Sequence, residues 1–351
     1  MDKKSRLQIG FWLLAGALII FVQMILGGIT RLTGSGLSIT HWDIVMGALP
    51  PLNRHDWQVA FNQYKLTPQY TLVNKGFTLS DFKHIFFWEF IHRLWARVML
   101  GGVFFLGLIY FFFTKRLTPS LVKKSIIAVL LGGLEGLMGW IMVQSGLRDV
   151  PFVAPLDLTA HLLLALLIFS YLLWISLPYL IPENNFQIDN KKIKGSILTL
   201  LTLLAIQIAF GGLMAGNHAA MSYPSWPTFN GNWLPTGIND GSTFITNLTH
   251  NVATIQLIHR TLAYLIAIYI FYLFIRYRKS LSALQGVVLS LLPVMVLLQI
   301  TLGVLTLLYT NTTIPVVLGV IHQSVGWLTF ANALVFYFLI KRKHHIATQG
   351  L

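Results

Sequence analysis

Four histidines, His92, His161, His259 and His322, fall inside apolar segments long enough to cross a bilayer, and they form two pairs. His92 lies in the run Trp88-Glu89-Phe90-Ile91-His92-Arg93-Leu94-Trp95-Ala96-Arg97, which brings a carboxylate, an imidazole and two guanidinium groups into an apolar stretch. An ionisable side chain in a spanning helix costs roughly 2.5–3.5 kcal/mol on insertion scales unless something offsets it, so such residues point to function. A fainter copy returns as Gln256-Leu257-Ile258-His259-Arg260-Thr261-Leu262-Ala263, and the lone histidines His161 and His322 come two segments after each copy.

Paired imidazoles on different helices suit haem. Axial ligands approach an iron from opposite faces of the macrocycle, and facing helices of a bundle can place them so. For any one histidine, a bond to a carbonyl across the bundle is the simpler account; four, paired and repeated, favour haem or another metal. Zinc or copper is disfavoured, because the chain has no cysteine and two histidines per half lack the further ligands those ions take. Glu89 precedes His92 by three residues and shares its helix face, whereas its counterpart is the neutral Gln256. The expectation is a reactive site in the first half and a cofactor site in the second. Glu89 also stands four residues before Arg93, a spacing that would neutralise a buried charge, and a proton relay is a further use for such a carboxylate. Arg93, Arg97 and Arg260 are candidates for haem propionates or for charge pairing. Glu135, with Gln299 as counterpart, would bond a neighbouring helix. The other seven histidines (His41, His55, His84, His218, His250, His344 and His345) read as solvated side chains in loops, helix edges or the tail.

The elements that must position these groups are transmembrane helices. The chain of 351 residues is 55% hydrophobic and 10% charged, against about 25% charged in soluble domains. Apolar runs that can span about 30 Å of hydrocarbon fall near 9–30, 85–113, 124–145, 158–181, 195–217, 251–275, 284–308 and 315–340. The first is too long, and lacks the cleavage site, for a removable signal. Eight spans put both termini on one side, and lysine and arginine choose it. Three basic residues at the N-terminus, four in 114–124 and three in each of 182–194, 276–283 and the tail outweigh five in 31–84 and Arg148 opposite. Both termini are therefore cytoplasmic, and the net charge of +14 is a topology signal rather than a nucleic-acid footprint. The outer loops 31–84 and 218–250 are too aromatic for disordered linkers and read as caps. Trp57, Phe61 and Tyr64 have the spacing of an amphipathic helix lying on the membrane or on the bundle.

The halves overlay. Gln23…Gly27-Gly28 matches Gln207…Gly211-Gly212, Leu134-Glu135…Gly139 matches Leu298-Gln299…Gly303, and His161 matches His322. The expected fold is an all-α integral membrane protein of eight transmembrane helices, two tandem four-helix bundles related by a pseudo-two-fold axis along the membrane normal. The first half (1–181) carries the long outer loop and the reactive site. A cytoplasmic linker (182–194) leads to the second half (195–351).

The run Gly27-Gly28-Ile29-Thr30-Arg31-Leu32-Thr33-Gly34-Ser35-Gly36-Leu37-Ser38 resembles the heme A synthase signature. So do Pro50-Pro51, Trp57 to Tyr64, Asn74, Phe82-Lys83, Trp88-Glu89-x-x-His92-Arg93 and the later Trp226-Pro227 loop. The likeness covers nearly the whole chain. It implies oxidation of a methyl group of haem O to the formyl of haem A by successive hydroxylations, for terminal oxidases. His92 and His161 would flank the substrate haem, His259 and His322 would ligate a haem b, and Glu89 would be the catalytic carboxylate. Some members carry a cysteine pair after the first span; this chain resembles the cysteine-free branch shared with alphaproteobacterial and mitochondrial relatives. The resemblance implies a haem O synthase upstream, oxidase assembly downstream, a bacterial inner membrane with the long loops periplasmic, and is compatible with a homo-oligomer. The short N-terminus lacks an Arg- and Ser-rich presequence. Two other classes compete: a bis-haem electron-transfer cytochrome with no chemistry of its own, and a transporter using the repeat for alternating access.

The absence of cysteine makes topology directly testable. Ser242→Cys should react with a membrane-impermeant maleimide from the periplasmic side of intact spheroplasts, and Ser280→Cys only after lysis. The reverse pattern would invert the assignment.

Overall fold

The computed structural model describes residues 2–40, 49–148, 150–181, 191–238 and 240–341. The helices are α1 (Lys3–Leu32), α2 (Arg54–Tyr64), α3 (Pro68–Leu72), α4 (Leu79–Trp95), α5 (Phe105–Phe113), α6 (Pro119–Gly146), α7 (Pro155–Leu180), α8 (Lys191–Gly216), α9 (Phe244–His250), α10 (Val252–Tyr277), α11 (Ala283–Leu308) and α12 (Val316–Lys341). A π-helical segment, Ala96–Phe104, joins α4 to α5 as one span. Among the described residues there are eight helices long and apolar enough to cross a membrane, and the only β pairing is the isolated bridge Phe229–Asn232. The eight spans coincide with the sequence expectation. Several begin earlier, because capping residues outside the apolar runs open them. Thr78 and Asp81 form a reciprocal cap at the start of α4, and Ser282 with Gln285 does the same for α11. Residues 182–190 of the expected linker, the tail from 342, and His41, His344 and His345 lie outside the described residues.

Helix α1 stops at a glycine. Gly34 takes a positive φ of 64°, its N–H donates to the Arg31 carbonyl, and the Ser35 N–H donates to Thr30. This left-handed cap satisfies two terminal carbonyls at once. It also corrects one boundary: Arg31 and Leu32, expected to open the outer loop, form the last turn of α1.

Helix α1 packs along α7 and also meets α12 and α4, while α8 lies against α7, α10 and α12. One apolar core, with Ile9 and Leu13 of α1, Leu172 of α7, Ile197 and Leu200 of α8 and Phe336 of α12, runs through both halves. Trp327 of α12, 1% exposed, packs on Phe169 of α7 at 5.3 Å between ring centres. Spans α4–α5 and α6 lie at the edge of this core, to which they give Phe104, Phe111, Leu121 and Ala128, and turn Leu106, Phe113, Leu130 and Leu137 outward, as a lipid-facing surface requires.

The outer segment forms a second core. Trp57, Phe61 and Tyr64 of α2 pack on Phe82 and Phe86 of α4, with ring centres 5.0 to 6.3 Å apart. The amphipathic helix therefore lies on the bundle. Asn74 donates to the Tyr64 hydroxyl at 2.8 Å, that hydroxyl donates to Gln69, and the Gln69 amide donates to the Gly34 carbonyl at 2.9 Å. Burial pushes the Tyr64 phenol up to about 12, so it remains a neutral donor. The chain from α2 to Gly34 ties the cap to the end of α1.

Two glycines separate packing from propensity. A Cβ on Gly216 would fall 2.6 Å from the Pro155 Cα of α7, whereas one on Gly286 would meet nothing within 4 Å. Gly216→Ala should cost about 1–3 kcal/mol through overpacking and lower the thermal midpoint of the purified protein. Gly286→Ala should be neutral or gain up to about 1 kcal/mol from helix propensity. Equal midpoints for the two variants would contradict the α7–α8 contact.

Candidate functional site

In the first half, Glu89 of α4 is 2% exposed and fully engaged. One carboxylate oxygen accepts from the Ser38 N–H (2.7 Å), the Ser38 hydroxyl (2.7 Å) and the Ile39 N–H (2.8 Å). The other accepts from Arg93 at 2.5 Å, and Arg93 also donates to the Ile39 carbonyl. Glu89 and Arg93 thus clamp the Ser38-Ile39 backbone onto α4. In the second half, Gln256 donates to the Tyr223 carbonyl at 3.1 Å. Arg260 donates to the carbonyls of Tyr223 (2.9 Å) and Thr228 (3.3 Å) and lies over the Phe229 ring at 4.1 Å. The duplicated i, i+4 pair does one job twice, holding an outer loop on a span. A carboxylate serves where N–H groups must be met, and an amide where a carbonyl must.

All four histidines sit against glycines. A Cβ on Gly27 of α1 would come 3.2 Å from His92, one on Gly139 of α6 3.0 Å from His161, one on Gly211 of α8 3.6 Å from His259, and one on Gly303 of α11 2.9 Å from His322. Each imidazole occupies the space that a missing side chain leaves on the neighbouring helix. The second glycine of each Gly-Gly pair serves a different contact. Gly28 faces Gln323 of α12 and Gly212 faces Thr159 of α7, so these two let the halves approach. Gln23 donates to the His92 carbonyl and Gln207 to the His259 carbonyl, both at 3.1 Å. The partners of the other two histidines differ. The Glu135 carboxylate of α6 stands 3.1 Å from His161 Nδ1, while His322 Nδ1 lies 3.1 Å from the Gln299 main-chain carbonyl of α11. At His322 the acceptor at Nδ1 leaves Nε2 with its lone pair for a metal.

The second-half pair borders a cavity of about 270 Å³, walled by α8, α10, α11 and α12 and closed in part by Arg31, Leu32 and Leu162 from the first half. The ring centres of His259 and His322 are 6.4 Å apart, with planes at 68°. Imidazole nitrogens bind metals at about 2.0–2.1 Å and lie about 1.1 Å from the ring centre, so two rings on opposite sides of one ion have centres about 6.3 Å apart. The spacing fits a shared iron. Residues of its lining carry buried polar atoms without partners among the described residues: Gln207 Oε1, Gln256 Oε1, Gln299 Oε1 and Arg31 Nη2. Such atoms imply an occupant with polar groups of its own.

Sequence reasoning missed Arg31, whose side chain points into the other half's cavity. Its place at a run boundary gave no hint of this. In the register that overlays Gly27-Gly28 on Gly211-Gly212, Arg31 falls on Ala215, a break in the repeat like that of Glu89. One of the seven peripheral histidines also departs from expectation. His218 is half-buried against Phe152, 4.8 Å between ring centres, and burial, then the Arg31 charge, holds its pKa below the usual value. His55, His84 and His250 are exposed. His92 is about three and a half turns into α4, while the other three site histidines lie about two turns into their helices. The difference arises because α4 starts six residues before its apolar run.

Fold and site define a multi-pass helical membrane protein with paired histidines on alternate spans. The cytochrome oxidase assembly protein family (COX15-CtaA) matches residues 10–334. The heme A synthase of Flavobacterium johnsoniae is 39% identical over 332 residues, 93% of this chain and 95% of that one. That of Nitrosomonas eutropha is 37% identical over 335 residues, 94% and 93%, and that of a Wolbachia from Brugia malayi 35% over 348 residues, 98% and 100%. The chain belongs to the heme A synthase family.

The two loop clamps should differ in strength. Glu89→Gln removes the carboxylate from a buried ion pair and should cost about 3–5 kcal/mol, while Gln256→Ala removes one neutral hydrogen bond worth about 0.5–1.5 kcal/mol. Thermal unfolding of the purified variants measures both; an equal loss would show that the Glu89–Arg93 pair does not anchor the outer segment.

Proposed function

We propose that this protein is a heme A synthase of a bacterial inner membrane, converting haem O to haem A, with the substrate in the first half and a haem b in the second. The observation that carries the reading is the His259–His322 pair, spaced for one iron beside a cavity with unmet polar atoms, in a chain of this family. Haem b at that site would supply one-electron transfer. His259 and His322 would hold it from α10 and α12, with the Gln299 carbonyl orienting the His322 ring and Gln207 bonded to the His259 main-chain carbonyl.

In the first half, His92 and His161 would flank the substrate; two successive two-electron oxidations, each with water adding oxygen to the methyl carbon and an external electron acceptor taking two electrons, would give hydroxymethyl and then a gem-diol, which loses water to the formyl. Glu89 carries a negative charge beside this site. Its lone pairs are taken by Ser38, Ile39 and Arg93, so its suited role is electrostatic: a fixed charge that stabilises positive charge developing at the oxidised carbon. Proton abstraction would first require breaking that clamp. Arg93 acts as the counter-charge that keeps the carboxylate in place, and Arg260 as the loop anchor of the second half. Arg97, one turn beyond Arg93 in the π segment, is a propionate candidate for the first-half haem. Both termini lie in the cytoplasm and the aromatic loops face the periplasm. The donor of haem O is a haem O synthase, and the product passes to oxidase assembly.

Extracted pigments and a reduced-minus-oxidised spectrum of purified protein test the reading. His259→Ala should lose the haem b band. His92→Ala and Glu89→Gln should keep that band, which reports an intact fold, and yield no haem A. Normal haem A from Glu89→Gln would overturn the role of the carboxylate; two bound haems and no haem A from wild type itself would favour a cytochrome without chemistry of its own.

A further inference from the structure

We propose that Arg31, a first-half residue, binds a propionate carboxylate of the porphyrin in the second-half cavity; this rests on the haem reading of that cavity. The glycine cap after Thr33 keeps Arg31 in the last turn of α1, where α1 packs against α12, the helix that carries His322. Its guanidinium lines the cavity, and Nη2 is sealed from solvent with no hydrogen-bond partner among the described residues. The cavity's other cation, Arg260, already donates to the Tyr223 and Thr228 carbonyls and lies over Phe229. Among the arginines of this cavity, Arg31 is the one with a buried guanidinium nitrogen that has no hydrogen-bond partner among the described residues.

A buried guanidinium nitrogen without an acceptor is costly in a membrane bundle, and an anion that accepts its N–H bonds removes the cost. Neither of the salt bridges among the described residues involves Arg31. Its titratable neighbour His218 is a base, and burial and the guanidinium both favour the neutral form of that imidazole. The partner must come from the occupant of the cavity. A porphyrin bound between His259 and His322 would have carboxylates only on its two propionates, and the planar fork of arginine suits a carboxylate better than a lysine would. The register that sets Ala215 opposite Arg31 gives the first-half site no equivalent from α8. One side chain thus joins the two halves through the cofactor.

The test is porphyrin binding by full-length protein purified from haem-limited cells, titrated with ferric protoporphyrin IX and with its dimethyl ester. Wild type should bind the free acid about tenfold or more tightly than the diester. Arg31→Gln should bind the diester as wild type does but lose most of the preference for the acid, and Arg31→Lys should keep an intermediate preference. Undiminished discrimination by Arg31→Gln would overturn the assignment and leave the haem site standing. Loss of both ligands in Arg31→Gln and Arg31→Lys alike would make the residue structural and equally overturn it. Failure of wild type to bind either porphyrin would remove the haem reading itself.

Discussion

An imidazole can sit between two transmembrane helices only where one of them gives up its side chain. Gly27, Gly139, Gly211 and Gly303 do this for His92, His161, His259 and His322, and the helix spacings of both halves follow from it. Odd-numbered spans supply the glycines and even-numbered spans the histidines. In lipid there is little hydrophobic gain from joining helices, so close backbone approach and specific polar bonds must hold the bundle together. Gln23 and Gln207, bonded to the carbonyls of His92 and His259, add such bonds on the helices that carry two of the histidines.

On this duplicated frame the asymmetries are few and chemical. Glu89 faces Gln256 across the repeat, and Glu135 faces Gln299. The first half therefore holds two acids, one clamped by Ser38, Ile39 and Arg93 and one beside His161, where the second half offers amides and a main-chain carbonyl. A carboxylate behind a ligating histidine raises its basicity, and a neutral carbonyl does so less. Two haems placed in these surroundings would differ in potential, as a substrate under oxidation and a resident electron carrier should.

The sequence made the eight spans legible, because hydropathy carries that information locally. Trp57, Phe61 and Tyr64 announced a helix, but whether it lay on lipid or protein depended on Phe82 and Phe86 of a distant segment. Glu89 and Arg93 were readable as an ion pair from their i, i+4 spacing; that together they hold the Ser38-Ile39 backbone was not, since the partner lies some fifty residues away. The glycine pairs suggested helix contact without saying that one glycine of each pair seats a histidine. Arg31 was least legible, because its direction is decided by how α1 ends and by which half's cavity that end meets.

The central claim is that the imidazoles of α10 and α12 lie on opposite sides of one iron. Near-infrared magnetic circular dichroism of oxidised protein purified in a His92→Ala background, where the first-half pair contributes no bis-histidine signal, addresses it most directly, because the charge-transfer band of low-spin haem reports both axial ligands. The expected result is a bis-histidine band that disappears in His259→Ala and in His322→Ala alike. A band that survives either substitution would contradict it.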